Sequence, residues 1–170
     1  MWQNQVRSAD LLQRLLMVNI ALFILLHLVH SLSALFLHPM LDFATASRWL
    51  AVPAALPVLV VKPWSLLTYQ FFHWDFFHLL FNMLWLYWRG KIFQEYLGAP
   101  KLFGTYLLGG LSGAVFYIVF YNVFPLFADG VRDSFALGAS ASVLAVTIAT
   151  ATLLPDYPIQ LLLFGTVRLK

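Results

Sequence analysis

Residues 73–91 read HWDFFHLLFNMLWLYWRGK, and whether this stretch crosses a membrane sets the number of spans and the side on which every later segment emerges. Only thirteen uncharged residues separate Asp75 from Arg89, fewer than the ~20 that a transmembrane helix needs. A helix that starts near Phe71 and runs past Arg89 removes the shortfall. Asp75 then sits near one surface, and the long side chains of Arg89 and Lys91 snorkel to the other. Trp74 at one end, with Trp85, Tyr87 and Trp88 at the other, suits the aromatic belts of membrane–water interfaces. The stretch is therefore read as a span.

Outward from it the chain is apolar in both directions. Its 170 residues are 62% hydrophobic and 17% aromatic, and only 10% are charged, against the ~25% of a soluble domain. So few charges cannot cover a soluble core of this size, which points to a polytopic integral membrane protein. The run Leu15–Leu41 has no Asp, Glu, Lys or Arg and is long enough for a tilted helix. A cleavable signal peptide, with an apolar core of roughly 7–15 residues, fits it less well. Asp42–Lys62 is a connector, polar at first and then AVPAALPVLVV. Its Pro53 and Pro57 argue against a spanning helix, so a loop lying partly in the interface is expected.

Two further uncharged runs, Leu102–Ala128 and Ser134–Pro155, flank the polar loop DGVRD at 129–133. The first contains Gly109-x-x-x-Gly113, a close-packing spacing for membrane helices. The apolar piece Ile159–Val167 is too short to span, and QLLLFGTVRLK at 160–170 reads as the approach to a fifth helix. The expected fold class is all-α, a single membrane domain over 1–170 with four transmembrane helices. With the N-terminus in the cytoplasm, that side holds Arg7, Arg14, Arg89, Lys91, Lys101, Arg168 and Lys170, and the other holds Arg48, Lys62 and Arg132. That asymmetry obeys the positive-inside rule. The absence of cysteine excludes disulfides, thiolate catalysis and cysteine-ligated metal, and the net charge of +3 forms no basic patch for nucleic acid.

The orientation brings two distant segments to one depth. Span two places His73, Asp75, His78 and Asn82 in its outer half, and span four enters from the same side through LGASAS, residues 137–142. Ser140 and Ser142 then lie roughly 10 Å below that surface, at about 1.5 Å per residue. His78 and Asn82, four residues apart, share a helix face. Polar groups at that depth must face protein or a water-filled cavity. Packing explains some of them: each serine can return its hydroxyl to a carbonyl one turn earlier, and Gly138, Ala141, Ala145 and Ala149 can form a small-residue stripe. His78 and Asn82 can be interhelical hydrogen bonds, and His27, His30 and His38 suit structural or interfacial roles. No histidine spacing supports a metal site. The chemical alternative is a serine nucleophile near a helix N-terminus, where backbone N–H groups and the helix dipole stabilise an oxyanion. Such a serine still needs a base.

HWDFFHLLFNM (73–83), with its core His78-x-x-x-Asn82, and GASAS (138–142), with its Gly-x-Ser pattern, together resemble the rhomboid intramembrane serine proteases. The resemblance runs from about Lys62 to the C-terminus. It implies that Ser140 is the nucleophile, that His78, Asn82 and the Ser140 N–H form the oxyanion site, and that Gly138 allows close helix approach, with Ser142 left to packing. It also implies cleavage of peptide bonds in or beside transmembrane segments of membrane proteins. Transmembrane substrates and the lipid bilayer are then the partners, with no metal, cofactor or nucleic acid. Three positions depart from the family pattern: Trp64 is followed by Ser65 rather than arginine, Gln94 stands one residue before Glu95 where an acidic residue is usual, and Ala141 replaces a glycine after the nucleophile.

The resemblance further implies a general-base histidine on a sixth helix, yet no histidine follows His78. Residues 1–170 are accordingly read as a truncated rhomboid, with the fifth and sixth helices missing and proteolysis absent from the chain as it stands. A rhomboid-like protein that binds transmembrane clients without cleaving them is the alternative, although such relatives often lose the nucleophile that Ser140 retains. A transporter or channel fragment predicts deep charges that spans one, three and four do not carry.

Overall fold

The computed structural model describes residues 2–36, 43–155, 158–161 and 165–168. The segment 37–42, which holds His38 and the end of the first apolar run, lies outside the described residues. Helix α1 spans Trp2–Leu35. Leu12, Leu15, Asn19 and Leu26 are buried, at intervals of three, four and seven, so one narrow stripe faces the protein. Met17, Ile24, Leu25 and Leu28 are exposed on the rest of the helix, as lipid-facing side chains are.

The connector is more structured than an interfacial loop. It forms α2 (Phe43–Leu50), β1 (Val52–Pro53), α3 (Leu56–Val61) and α4 (Ser65–Thr68), which runs into a 3₁₀ turn at Tyr69–Phe71. Pro57 is tolerated because it sits in the first turn of α3, where N–H groups have no helical partner. Ala51, Val52, Ala54 and Ala55 are buried, since small side chains let this backbone pack directly on the bundle.

Helix α5 spans Phe76–Leu97, about 33 Å at about 1.5 Å per residue. It starts five residues later than the sequence reading places it. Asp75 is the reason: its carboxylate accepts the His78 N–H at 2.8 Å and caps the helix, while Phe72 is already extended. His73 therefore lies before the helix and not on it. Gly98, with φ +90°, reverses the chain directly into α6 (Ala99–Val123). A 3₁₀ turn at Pro125–Gly130 and β2 (Phe135–Ala136) lead to α7 (Ser140–Leu153).

Two helical stretches among the described residues, Leu11–Leu35 and Ala99–Val123, are long and apolar enough to cross a membrane. The 14 residues of α7 reach about 21 Å, short of a ~30 Å hydrocarbon core. The all-α expectation needs two small amendments. β1 and β2 pair antiparallel, Val52 with Ala136 and Pro53 with Phe135. β3 (Pro158–Leu161) pairs with β4 (Gly165–Arg168), where the sequence reading places the approach to a fifth helix. An apolar piece too short to span satisfies its backbone groups here by pairing with itself.

One core cluster, including Leu15, Leu79, Leu86, Phe93, Tyr106 and Val146, joins α1, α5, α6 and α7. Helices α6 and α7 approach each other closely. A Cβ added at Gly109 would collide with the Ala145 methyl, and one at Gly113 with that of Ala141. The glycine spacing of α6 thus meets an alanine spacing on α7, as small-residue membrane interfaces do. Gly109→Val is expected to cost about 1–3 kcal/mol by overpacking, read as a lower thermal midpoint in detergent. An unchanged midpoint would remove the contact's importance.

Basic residues segregate between the two ends. The Leu12 N–H donates to Gln94 Oε1 at 3.1 Å, which sets the early part of α1 beside the Arg89–Lys91 end of α5. Arg48 and Lys62 both lie over the Phe135 ring, at the end where α7 begins.

Candidate active site

Two hydrogen bonds position the segment ahead of α7. The Gly138 N–H donates to the Tyr69 carbonyl at 2.9 Å, and the Ala139 N–H donates to His73 Nε2 at 3.3 Å. Both acceptors belong to the stretch before α5. Gly138 has φ +129°, a conformation that side chains oppose, and a Cβ there would run into the His78 imidazole. What approaches this glycine closely is therefore an imidazole ring.

Ser140 opens α7, and its Oγ is hydrogen-bonded to His78 Nε2 at 3.0 Å. Its hydroxyl is on the exposed side. Ser142 is fully buried and donates to Gln70 Oε1 at 2.9 Å. Neither serine makes the back-bond to its own helix that packing permits. Thr147, Thr150 and Thr152 do make it, to the carbonyls of Val143, Val146 and Ile148. The division between Ser140 and Ser142 is a matter of facing: the first turns to α5, the second to the 3₁₀ turn.

Asn82 lies one turn below His78 and is buried, but its Nδ2 donates to the His78 carbonyl at 2.9 Å. The structure thus brings Ser140 to His78 and keeps Asn82 on its own helix with a second N–H to give. All three line a cleft of about 580 Å³ between α5 and α7, together with Phe81, Trp85 and Val143. The cleft wall is largely apolar, so a polar group entering it meets few donors beyond these. The first N–H groups of α7 have no helical acceptor and form the positive end of its dipole.

Two residues of the site were given no role in it by the sequence. Gln70 sits in an uncharged run, yet it is fully buried and its carbonyl accepts the Tyr106 hydroxyl at 2.8 Å. Tyr106 in turn accepts the Asn19 amide at 3.3 Å, so a buried chain of hydrogen bonds links α1, α6, the 3₁₀ turn and, through Ser142, α7. His73 is fully buried, and its ring meets the His78 ring edge-on at 5.2 Å. Only its position in the HWDFFH stretch marked it.

Burial pushes the His73 pKa down to about 4, with the His78 charge lowering it further and Asp75 opposing. A neutral His73 whose Nε2 accepts the Ala139 N–H carries its proton on Nδ1. Protonating Nε2 would set two donors against each other. The folded value is below the ordinary 6.5, so the unfolded chain binds the proton first as pH falls. This group costs no stability above about pH 6.5 and a growing amount between there and about 4, reaching a few kcal/mol. Thermal midpoints of His73→Gln, which keeps an acceptor for Ala139, are expected to fall less over that interval than those of the unaltered chain. Parallel pH curves would refute the assignment.

The three departures from the family pattern also have places. Ser65 is buried and donates its hydroxyl to the Lys62 carbonyl at 2.7 Å. Gln94 is the buried acceptor for Leu12, while Glu95 is exposed. The Ala141 methyl is accommodated by the missing side chain of Gly113.

Helix α7 thus begins with a hydroxyl paired to an imidazole, inside a bundle whose outer surface is apolar. That combination defines a helical membrane protein with a serine–histidine pair at a helix N-terminus. Residues 61–168 match the family described as Rhomboid domain, and the chain belongs to that family. It is similar to the Rhomboid protease GlpG of Salmonella newport (strain SL254) and to that of Salmonella heidelberg (strain SL476). Each is 33% identical, with 45% of this chain and 34% of the relative covered. The chain therefore spans about a third of the length of the curated relatives it matches.

Proposed function

We propose that this chain carries the nucleophile and the oxyanion site of a rhomboid-type intramembrane serine endopeptidase. The observation that carries the reading is the 3.0 Å hydrogen bond between Ser140 Oγ and His78 Nε2 at the first residue of α7. In the proposed reaction Ser140 Oγ attacks a peptide carbonyl, and the oxyanion takes the Ser140 N–H, His78 and the free N–H of Asn82. The hydroxyl proton passes to a base and then to the leaving amine as the C–N bond breaks, and water hydrolyses the acyl-enzyme. Family resemblance assigns the base to a histidine on a sixth helix, a residue that 1–170 do not contain.

In this reading α1, α5, α6 and α7 are four spans, and the N-terminus is cytoplasmic. The 14 residues of α7 reach about 21 Å of a ~30 Å hydrocarbon core, so a helix that ends at the inner boundary starts with Ser140 roughly 10 Å deep. Substrates are transmembrane segments of other proteins. A segment must unwind locally to reach Ser140, because exposed backbone is costly in lipid.

The test is labelling of the protein, reconstituted in lipid, with a serine-reactive phosphonate. A phosphonate adduct at Ser140 and cleavage of a transmembrane substrate are expected. Protein that binds such a segment yet neither labels nor cleaves supports client binding without chemistry and overturns the protease reading.

A further inference from the structure

At the end of the bundle where α7 begins, two positive charges share one aromatic ring. Arg48 Cζ is 5.6 Å and Lys62 Nζ 5.5 Å from the centre of Phe135, and Lys62 Nζ is also 5.4 Å from the Trp49 ring. Trp49 and Trp64 stack 6.0 Å apart and within 3° of parallel, and Trp64 Nε1–H donates to the Trp49 carbonyl at 3.0 Å. Lys62 Nζ donates to the Arg48 carbonyl at 2.9 Å, which ties α3 to α2. Among the described residues no carboxylate pairs with either cation.

Aromatic faces attract cations only weakly at exposed sites, and a ring shared by two like charges leaves their repulsion in place. The Lys62 pKa is lowered, first by burial and then by Arg48. Among the described residues the cluster has no anion to pair with. Its surroundings indicate which kind. Trp49 and Trp64 are 52% and 43% exposed, and Leu56, Val60, Val61 and Leu67 beside them in sequence are exposed too. Indole rings with an apolar body and a polar edge settle at the headgroup level of a bilayer, and cations there meet phosphate.

We propose that Arg48 and Lys62 bind the phosphate of an anionic phospholipid headgroup, with the stacked Trp49 and Trp64 beneath it at the acyl boundary. The site rests on membership of a membrane-protein family and not on the protease reading. β2 carries Phe135 only five residues ahead of Ser140, and its pairing with β1 joins the two segments. A lipid held at this point sets the depth of Ser140 below the phosphate layer.

The chemistry is shared by free phosphate and by lipid, so the experiment separates them. The whole chain in vesicles of phosphatidylcholine, with phosphatidylglycerol bearing a photoreactive headgroup, is irradiated and mapped by mass spectrometry. Cross-links to the 48–64 segment are expected, and their absence there overturns the proposal. In a second arm, native mass spectrometry compares retention of phosphatidylglycerol, phosphatidylcholine and inorganic phosphate. Several-fold preference for phosphatidylglycerol is expected in the unaltered chain and in R48K/K62R, and loss of most of it in R48Q/K62Q. Equal preference in R48Q/K62Q, or retention of inorganic phosphate without lipid, refutes the lipid site.

Discussion

On the proposed protease reading, Ser140→Ala is expected to lower cleavage of a transmembrane substrate by on the order of a million-fold, the loss typical of removing a catalytic nucleophile. The fold is expected to survive the change. The Ser140 hydroxyl is on the exposed side of the helix start, and among the described residues its hydrogen bond is to His78. Ser142→Ala is the informative contrast. It strips the donor from the buried Gln70 Oε1, so a stability loss of about 1–3 kcal/mol is expected without loss of the nucleophile. Cleavage rate and thermal midpoint, measured on both variants, should therefore separate the two serines cleanly. If Ser140→Ala cleaved at the unaltered rate, the nucleophile assignment would fall.

The next largest effect is expected from Gly138→Ala, a change of one methyl group. At φ +129° a side chain is strained by about 1–3 kcal/mol, and the new methyl also points into the His78 ring. The imidazole has to move, and the 3.0 Å pair with Ser140 opens. Loss of one oxyanion donor typically slows acyl transfer by about 100- to 1,000-fold, and a fall of that order is expected in phosphonate labelling and cleavage. Gly138→Ala labelling at the unaltered rate would show that His78 does not need its present place.

Much of the architecture was legible because hydropathy and length are properties of a segment by itself. Low charge and long apolar runs indicated a membrane bundle, and His78-x-x-x-Asn82 with Gly138-x-Ser140 indicated the family. Boundaries were less legible where one side chain decides them. The Asp75 carboxylate starts α5 at Phe76, and no periodicity announces a cap of that kind. The connector was hidden for a related reason. Its prolines exclude a spanning helix but say nothing of β1 finding β2 more than eighty residues later.

The sequence by itself determined the class of protein and the family, and it led to the expectation that Ser140, His78 and Asn82 share a side and a depth. Tertiary structure alone decided which of them meet. Ser140 reaches His78 across 62 residues of chain, Ser142 reaches Gln70 across 72, and Ala139 reaches His73 across 66. Asn82 bonds instead to its own helix, four residues back. Serines two residues apart on a helix point to different neighbours, and what those neighbours are depends on how α5 and α7 pack. Local pattern cannot encode that: the partner of a buried polar group is set by whichever donor or acceptor the folded backbone brings within about 3 Å.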